Sequence, residues 1–161
     1  MGGDPVIVPP ALSSARASDE GLIPSPTMAV ERTGRLTYVA RNENGAEVRV
    51  GTESVPGTFT PGELLKIALA ACNAMSAEAR LVHTLGPEFD SETVIETLKH
   101  EQEERYARFR VTLTAPVQDL EEEKRDRLSE RATVAVQKNC TVGRTLEAGA
   151  AYEFLLAGEG E

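Results

Sequence analysis

The sequence contains no tryptophan, and its aromatic side chains are four Phe and three Tyr in 161 residues. A core built on large rings is excluded. The 40% of hydrophobic residues must pack chiefly as Leu, Val, Ala and Ile. In a chain of single-domain length, so thin an aromatic supply points to burial gained by oligomerisation. Histidine is scarce too: His83 and His100 are isolated, and Cys72 and Cys140 lie far apart with no CxxC or CxxH spacing. That pattern argues against a zinc site. Basic residues are outnumbered 17 to 26, for a net charge of −9 and a pI near 4.8. An acidic surface lacks the basic face that phosphate backbones require, which excludes nucleic acid as a partner and argues against anionic membranes. No run is long and apolar enough to span a bilayer. The opening MGGDPVIVPP has neither a positive n-region nor a long apolar run, so no secretory signal is read there. A cytoplasmic protein with reduced thiols is the expectation. In that compartment two cysteines mean redox chemistry or inert core more than a structural staple.

Residues 1–27 hold five of the nine prolines, at positions 5, 9, 10, 24 and 26. Such a segment cannot repay its ordering entropy by local burial. It reads as a flexible, Pro-rich leader or extension, with Met28 as a candidate start and residues 28–161 as the folded domain. From Met28 the pattern is that of strands. Leu36, Tyr38 and Ala40 alternate, Asn42-Glu43-Asn44-Gly45 reads as a turn, and Val48 and Val50 return. Asn-Gly is a strong hairpin signal because both residues tolerate positive φ. Residues 51–59 read as a loop or short strand.

The segment TPGELLKIALAACNAM then opens a helix. Thr60 suits the N-cap, Pro61 the first helical position, and Glu63 completes a capping box. The helix should run to about His83. Its face from Leu64 to Ala71 is apolar nearly all round apart from Lys66, which predicts a buried central helix. Residues 92–104 and 106–117 read as two strands, the second alternating strictly at Phe109, Val111, Leu113, Ala115 and Val117. A second long helix is expected over 119–139, with Leu120, Leu128, Ala132, Ala135 and Val136 on one stripe that continues to Cys140. TVGRTLEAG reads as a turn or short helix and AAYEFLLA as a closing strand. The fold class expected is α+β, in the order β-β-(β)-α-β-β-α-β.

Each cysteine has two readings. Free Cys packs as a small hydrophobe, and both positions lie on apolar helix faces. Reaction requires the two to meet, with Cα atoms within roughly 7 Å. It also requires a stabilised thiolate, since a thiol of pKa ~8.5 is only about 3% ionised at pH 7. A guanidinium is the expected donor, with Arg41 beside the first turn the first candidate and Arg144 the second.

TPGELLKIALAACNAM, followed some seventy residues later by NCTVGRTL, resembles the OsmC family (osmotically inducible protein C), which includes the organic hydroperoxide resistance proteins. The family pattern is Asn-Pro-Glu-Glu-Leu, an alanine-rich helix carrying Ala-Cys, and a late Cys-Pro-Val-Ser. The resemblance spans about Val30 to Leu156 and is nearest to an actinobacterial OsmC-like subgroup. It implies an antiparallel sheet with a buried central helix, in an intertwined homodimer with sites at the subunit interface. It further implies a peroxidase for organic and fatty-acid hydroperoxides. Cys72 would be the peroxidatic cysteine, Cys140 the resolving one, and Arg41 the arginine that holds the thiolate and polarises the peroxide. The reductant would be an external dithiol of lipoyl type, with no resident cofactor.

Two departures stand out. The family's catalytic glutamate falls ten residues before the reactive cysteine, where this chain has Gly62. Glu63 is one residue on, a rotation of about 100° around the helix, so it serves either the cap or the chemistry. Thr141 and Gly143 replace the late Pro and Ser. The missing glutamate motivates an alternative function: an acyl or small-molecule binding or redox-sensing protein on the same scaffold, without efficient peroxidase activity. A purely structural or interaction domain is a third reading.

Overall fold

The computed structural model describes residues 20–158. The flexibility expected of residues 1–27 therefore lies, for 1–19, outside the described residues. Glu20 and Gly21 form a turn, and residues 22–27 have no regular structure.

The chain is α+β, with two antiparallel sheets and three helices among the described residues. The elements are β1 (Ala29–Gly34), β2 (Thr37–Arg41), β3 (Glu47–Val50), α1 (Pro61–Leu85), β4 (Glu92–Lys99), β5 (Tyr106–Thr114), α2 (Glu122–Asn139) and α3 (Thr141–Ala148). Strands β1-β2-β3 form one sheet and β4-β5 the other.

The β2–β3 hairpin turns where Asn-Gly predicts. Arg41 pairs with Glu47, Asn42 Oδ1 accepts from the backbone N–H groups of Asn44 (3.0 Å) and Ala46 (2.9 Å), and Gly45 takes φ +80°. The strand ahead of it was not expected. Ala29–Gly34 pairs antiparallel with β2, and Leu36 sits in the intervening turn at φ +52°, not in a strand. Its sequence AVERTG is largely polar and solvent-facing, so it lacks the alternation that marks a half-buried strand. Residues 51–59 are a loop pinned by a bridge between Val50 and Phe59.

Helix α1 starts as its sequence dictates. The Thr60 side chain accepts from the Glu63 N–H (3.2 Å), and the Glu63 carboxylate accepts from the Thr60 N–H (2.8 Å). The helix ends at Leu85, where Gly86 takes φ +90° and donates to the Val82 carbonyl (2.9 Å). Ala77 and Leu81 of α1 meet Leu128 of α2 in the core. Leu113 of β5 and Ala132 and Val136 of α2 pack around them. Helix α1 is thus central, in contact with β4, β5, α2 and α3.

Two expectations require correction. Helix α1 is not buried all round within one protomer: Leu69, Ala70, Ala77 and Leu81 are covered, while Leu65, Ile67 and Met75 face outward. The closing strand AAYEFLLA is also not formed. Residues 151–158 have no regular structure, and Tyr152 and Leu156 are 94% and 92% exposed. A strand requires a ladder partner, and the described residues of one protomer place none beside this segment. Among the described residues, no helix is long and apolar enough to cross a membrane.

Candidate active site

The two cysteines meet. Cys72 lies midway along α1. Cys140 is the single residue between α2 and α3, at φ −75°, ψ 98°. That extended residue ends one helix and starts the next. Its N–H donates to the Val136 carbonyl (2.9 Å), closing α2, and its carbonyl accepts from the Arg144 N–H (2.9 Å), opening α3. Its sulfur is the N-cap of α3, accepting from the Gly143 N–H at 3.3 Å, a place usually taken by a hydroxyl or carboxylate oxygen. Gly143 suits this position because a Cβ there would lie 3.2 Å from Cys140 Sγ.

The side chains of Cys72 and Cys140 lie close enough that each shifts the other's ionisation. Cys140 is only 1% exposed, whereas Cys72 is half-buried and both are free thiols. Burial alone pushes Cys72 up. The Cys140 thiol, the backbone N–H groups of Val142 and Thr141, and the Ser76 hydroxyl outweigh it, and the Cys72 pKa falls below the ordinary thiol value. Cys140 moves the other way. Burial raises it first, then the hydrogen bond to Cys72, and the Gly143 N–H and Asn73 amide offset only part. The pair is therefore polarised: Cys72 is the thiol that ionises first, and Cys140 the one that keeps its proton.

Four of these donors escaped sequence reasoning. Asn73 Nδ2 donates to Cys140 Sγ (3.2 Å) and to the Leu69 carbonyl (3.1 Å). Its signal was available: a polar residue of poor helix propensity directly after Cys72 on an apolar helix. Ser76, one turn past Cys72, donates to the Cys72 carbonyl at 2.7 Å, and its hydroxyl is among the groups that lower the Cys72 pKa. The Thr141 and Val142 amides have no side-chain signature at all. A proline at 141, as in the family pattern, would have no N–H to give.

The expected cation is not among the groups bonded to either sulfur. Arg41 pairs with Glu47 (2.9 Å) and Glu31 (3.2 Å) across the exposed face of the three-stranded sheet. Arg144 donates to the Lys138 carbonyl (3.1 Å) at the end of α2. Glu63 is held in the cap, and its pKa is lowered chiefly by the Thr60 backbone N–H. Gly62 is packed against β5: a Cβ there would overlap Tyr106 Oη. The Tyr106 ring lies 5.1 Å from Lys66 Nζ and 5.5 Å from the Phe109 ring. The space beside Gly62 into which a longer side chain would extend is thus filled by a tyrosine from the neighbouring sheet.

Two clefts lie elsewhere. One of about 250 Å³ is lined by His83, Thr84, Lys124, Arg127, Leu128 and Arg131. Another, of about 670 Å³, runs along Leu85–Glu92 and Thr114–Gln118. Neither cysteine lines either of them. Among the described residues no cluster of three or more His, Cys, Asp or Glu could hold a metal ion.

Comparison with known proteins gives three findings. The family model described as OsmC-like protein matches residues 51–154. An uncharacterized protein of Mycobacterium tuberculosis is 42% identical over 120 residues, which are 74% of this chain and 88% of that protein. Among solved structures, a hypothetical protein from Aquifex aeolicus superposes with a TM-score of 0.63 at 16% identity, covering 79% of this chain and 90% of its own. An OsmC-like protein of unknown function from Vibrio cholerae superposes at 0.55 with 11% identity, covering 78% and 95%. At these identities the superpositions show a common fold.

Proposed function

This chain belongs to the OsmC-like family, and on that premise we propose that it is a thiol-dependent peroxidase reducing organic hydroperoxides, including those of fatty acids, to alcohols. The observation that carries the reading is the polarised pair of neighbouring thiols, one half-buried with its pKa lowered, the other buried with its pKa raised.

The Cys72 thiolate attacks the distal peroxide oxygen. An S–O bond forms, the O–O bond breaks, and the alkoxide takes a proton to leave as the alcohol. Cys72 becomes a sulfenic acid. Cys140 then attacks that sulfur; an S–S bond forms and the sulfenic oxygen departs as water. An external dithiol, of lipoyl type by family resemblance, restores both thiols by exchange. The cycle uses no resident cofactor. It fits a cytoplasmic role in oxidative stress defence, where thiols are kept reduced.

The Thr141 and Val142 amides perform at Cys72 the charge-stabilising task a guanidinium would perform. Glu63 is assigned to the helix cap. Arg41 is assigned to the peroxide end of the site in a homodimer. Support for the dimer comes from the outward Leu65, Ile67 and Met75, and from the exposed Tyr152, Phe154 and Leu156. Large apolar side chains left exposed on one protomer are surface that a second copy would cover. Sheet β1-β2-β3 also makes no broad contact with the helices of its own protomer, so an intertwined second copy has a face to cover.

The test is dithiol-driven consumption of cumene hydroperoxide with dihydrolipoamide as reductant. Wild type should turn over, Cys72→Ser should lose all activity, and Cys140→Ser should stop after one equivalent. A folded wild type that consumes no hydroperoxide would overturn the reading in favour of ligand binding on the same scaffold.

A further inference from the structure

The second step of that cycle has a chemical difficulty that the structure answers. Resolution needs Cys140 as a nucleophile, and Cys140 is the most buried side chain described. Its proton is held by burial and by the neighbouring Cys72 thiolate. Oxidation removes the second of these causes, because a sulfenic acid is neutral at neutral pH. Burial remains, so the thiolate that attacks must be stabilised by local donors.

Two donors are in place. The Gly143 N–H belongs to the α3 N-terminus and lies 3.3 Å from the sulfur. The Asn73 amide reaches it from α1 at 3.2 Å. The orientation of that amide is fixed by its other contact. The Leu69 carbonyl can only accept, so the group facing it at 3.1 Å is the NH₂, and the same nitrogen reaches Cys140. Asn73 thereby ties the α2–α3 junction to the helix that carries Cys72.

We propose that Asn73 is a positioning residue for resolution: its amide holds the Cys140 sulfur against Cys72 and stabilises the thiolate that attacks the sulfenic acid. The inference rests on the peroxidase reading. The step it serves is balanced: Cys140 S–H and Cys72 S–OH give the disulfide and one water, with no further reactant. Asn73 does not touch the peroxide. Its loss affects the second step far more than the first, which it reaches only through Cys140.

The experiment is a rapid-mixing time course on the full chain. Reduced wild type, Asn73→Leu and Asn73→Gln are each mixed with one equivalent of cumene hydroperoxide, quenched with dimedone and weighed intact. Asn73→Leu keeps the side-chain volume and removes both donors; Asn73→Gln keeps an amide. Sulfenic acid should form at close to the wild-type rate in all three. Disulfide formation should slow about ten- to hundred-fold in Asn73→Leu, the scale of one hydrogen bond to a charged group. Asn73→Gln should recover part of that loss. With excess peroxide, Asn73→Leu should accumulate sulfinic acid at Cys72. Disulfide formation at the wild-type rate in Asn73→Leu would overturn the proposal. So would equal slowing of both steps, which marks a structural role. Should Asn73→Leu fail to fold, Asn73→Ala carries the same two-step comparison. Failure of the peroxidase reading looks different: no dimedone adduct in any protein, Cys140→Ser included.

Discussion

Gly62 stands where the family resemblance implies a glutamate, and its packing against Tyr106 gives a reason for glycine there with numbers that can be tested. In the first turn of an open helix, glutamate in place of glycine should stabilise. Removing glycine's backbone freedom contributes roughly 0.5–1 kcal/mol. A carboxylate at a helix N-terminus adds about 0.3–1 kcal/mol. Here, however, the new Cβ would overlap Tyr106 Oη. Overpacking of that kind costs about 1–3 kcal/mol. Displacing the ring also forfeits its contacts with Lys66 and Phe109, each worth about 0.5–1 kcal/mol. The cost exceeds the gain, so Gly62→Glu should destabilise by about 1–3 kcal/mol. In a Tyr106→Ala background the obstruction is gone, and the same substitution should stabilise by about 1 kcal/mol. The assay is urea unfolding of wild type, both single variants and the double variant at one protein concentration, since dimerisation would shift the midpoints. The predicted coupling between the two positions is about 2 kcal/mol or more, well above the ~0.5 kcal/mol scatter of independent sites. Additive effects would refute the reasoning and leave glycine at 62 without a packing explanation.

Further outcomes follow from the same contacts. Thiolate ultraviolet absorbance against pH should show one ionisation per chain below the ordinary thiol value, and Cys140→Ala should move it upward by removing the S–H donor; an unmoved titration would deny that donor its role. Because the Cys72 pKa is lowered, its contribution to stability is complete above the unfolded value of ~8.5 and is lost as pH falls through the folded value. Cys140, raised, contributes in the opposite sense, and its share is lost as pH rises through its folded value; urea midpoints of Cys72→Ser against pH should therefore lack the rise that wild type shows just below ~8.5. Leu128→Ala, at the centre of the α1–α2 contact, should cost about 2–5 kcal/mol by urea unfolding, and a loss under about 1 kcal/mol would mean that site collapses freely. Glu63→Gln keeps the reciprocal cap and should leave hydroperoxide turnover within about two-fold, whereas a hundred-fold loss, the scale of acid–base catalysis, would give Glu63 a catalytic role.

Sequence was most informative where structure is local. The capping box at Thr60 and Glu63 and the Asn-Gly turn at 42–45 depend on residues within a few positions of each other, and both form as written. The alternation of β5 and the stripe of α2 were equally legible, because one face of each is buried against α1. Strand β1 was missed because both its faces are wet, and it forms by pairing with β2. The segment at 151–158 has a strand's composition and, among the described residues of one protomer, no strand paired with it; composition records what a segment can pair with, not whether a strand forms. The site divides in the same way. That Cys72 and Cys140 meet could be anticipated from two motifs in the family order. What lowers the Cys72 pKa could not, because apart from the Ser76 hydroxyl the groups responsible are two backbone amides and a neighbouring thiol, whose roles exist only once α3 is docked on α1. A search for side-chain charges led instead to Arg41 and Arg144, which satisfy carboxylates and a helix end.

The most direct test of the central claim is intact mass spectrometry of the reduced protein after one equivalent of cumene hydroperoxide. Wild type, Cys72→Ser and Cys140→Ser would be measured together. The account predicts that wild type loses two hydrogens as a disulfide forms, that Cys140→Ser gains one oxygen trapped at residue 72, and that Cys72→Ser is unchanged. Oxygen appearing first at residue 140, or three unaltered masses from folded protein, would contradict it.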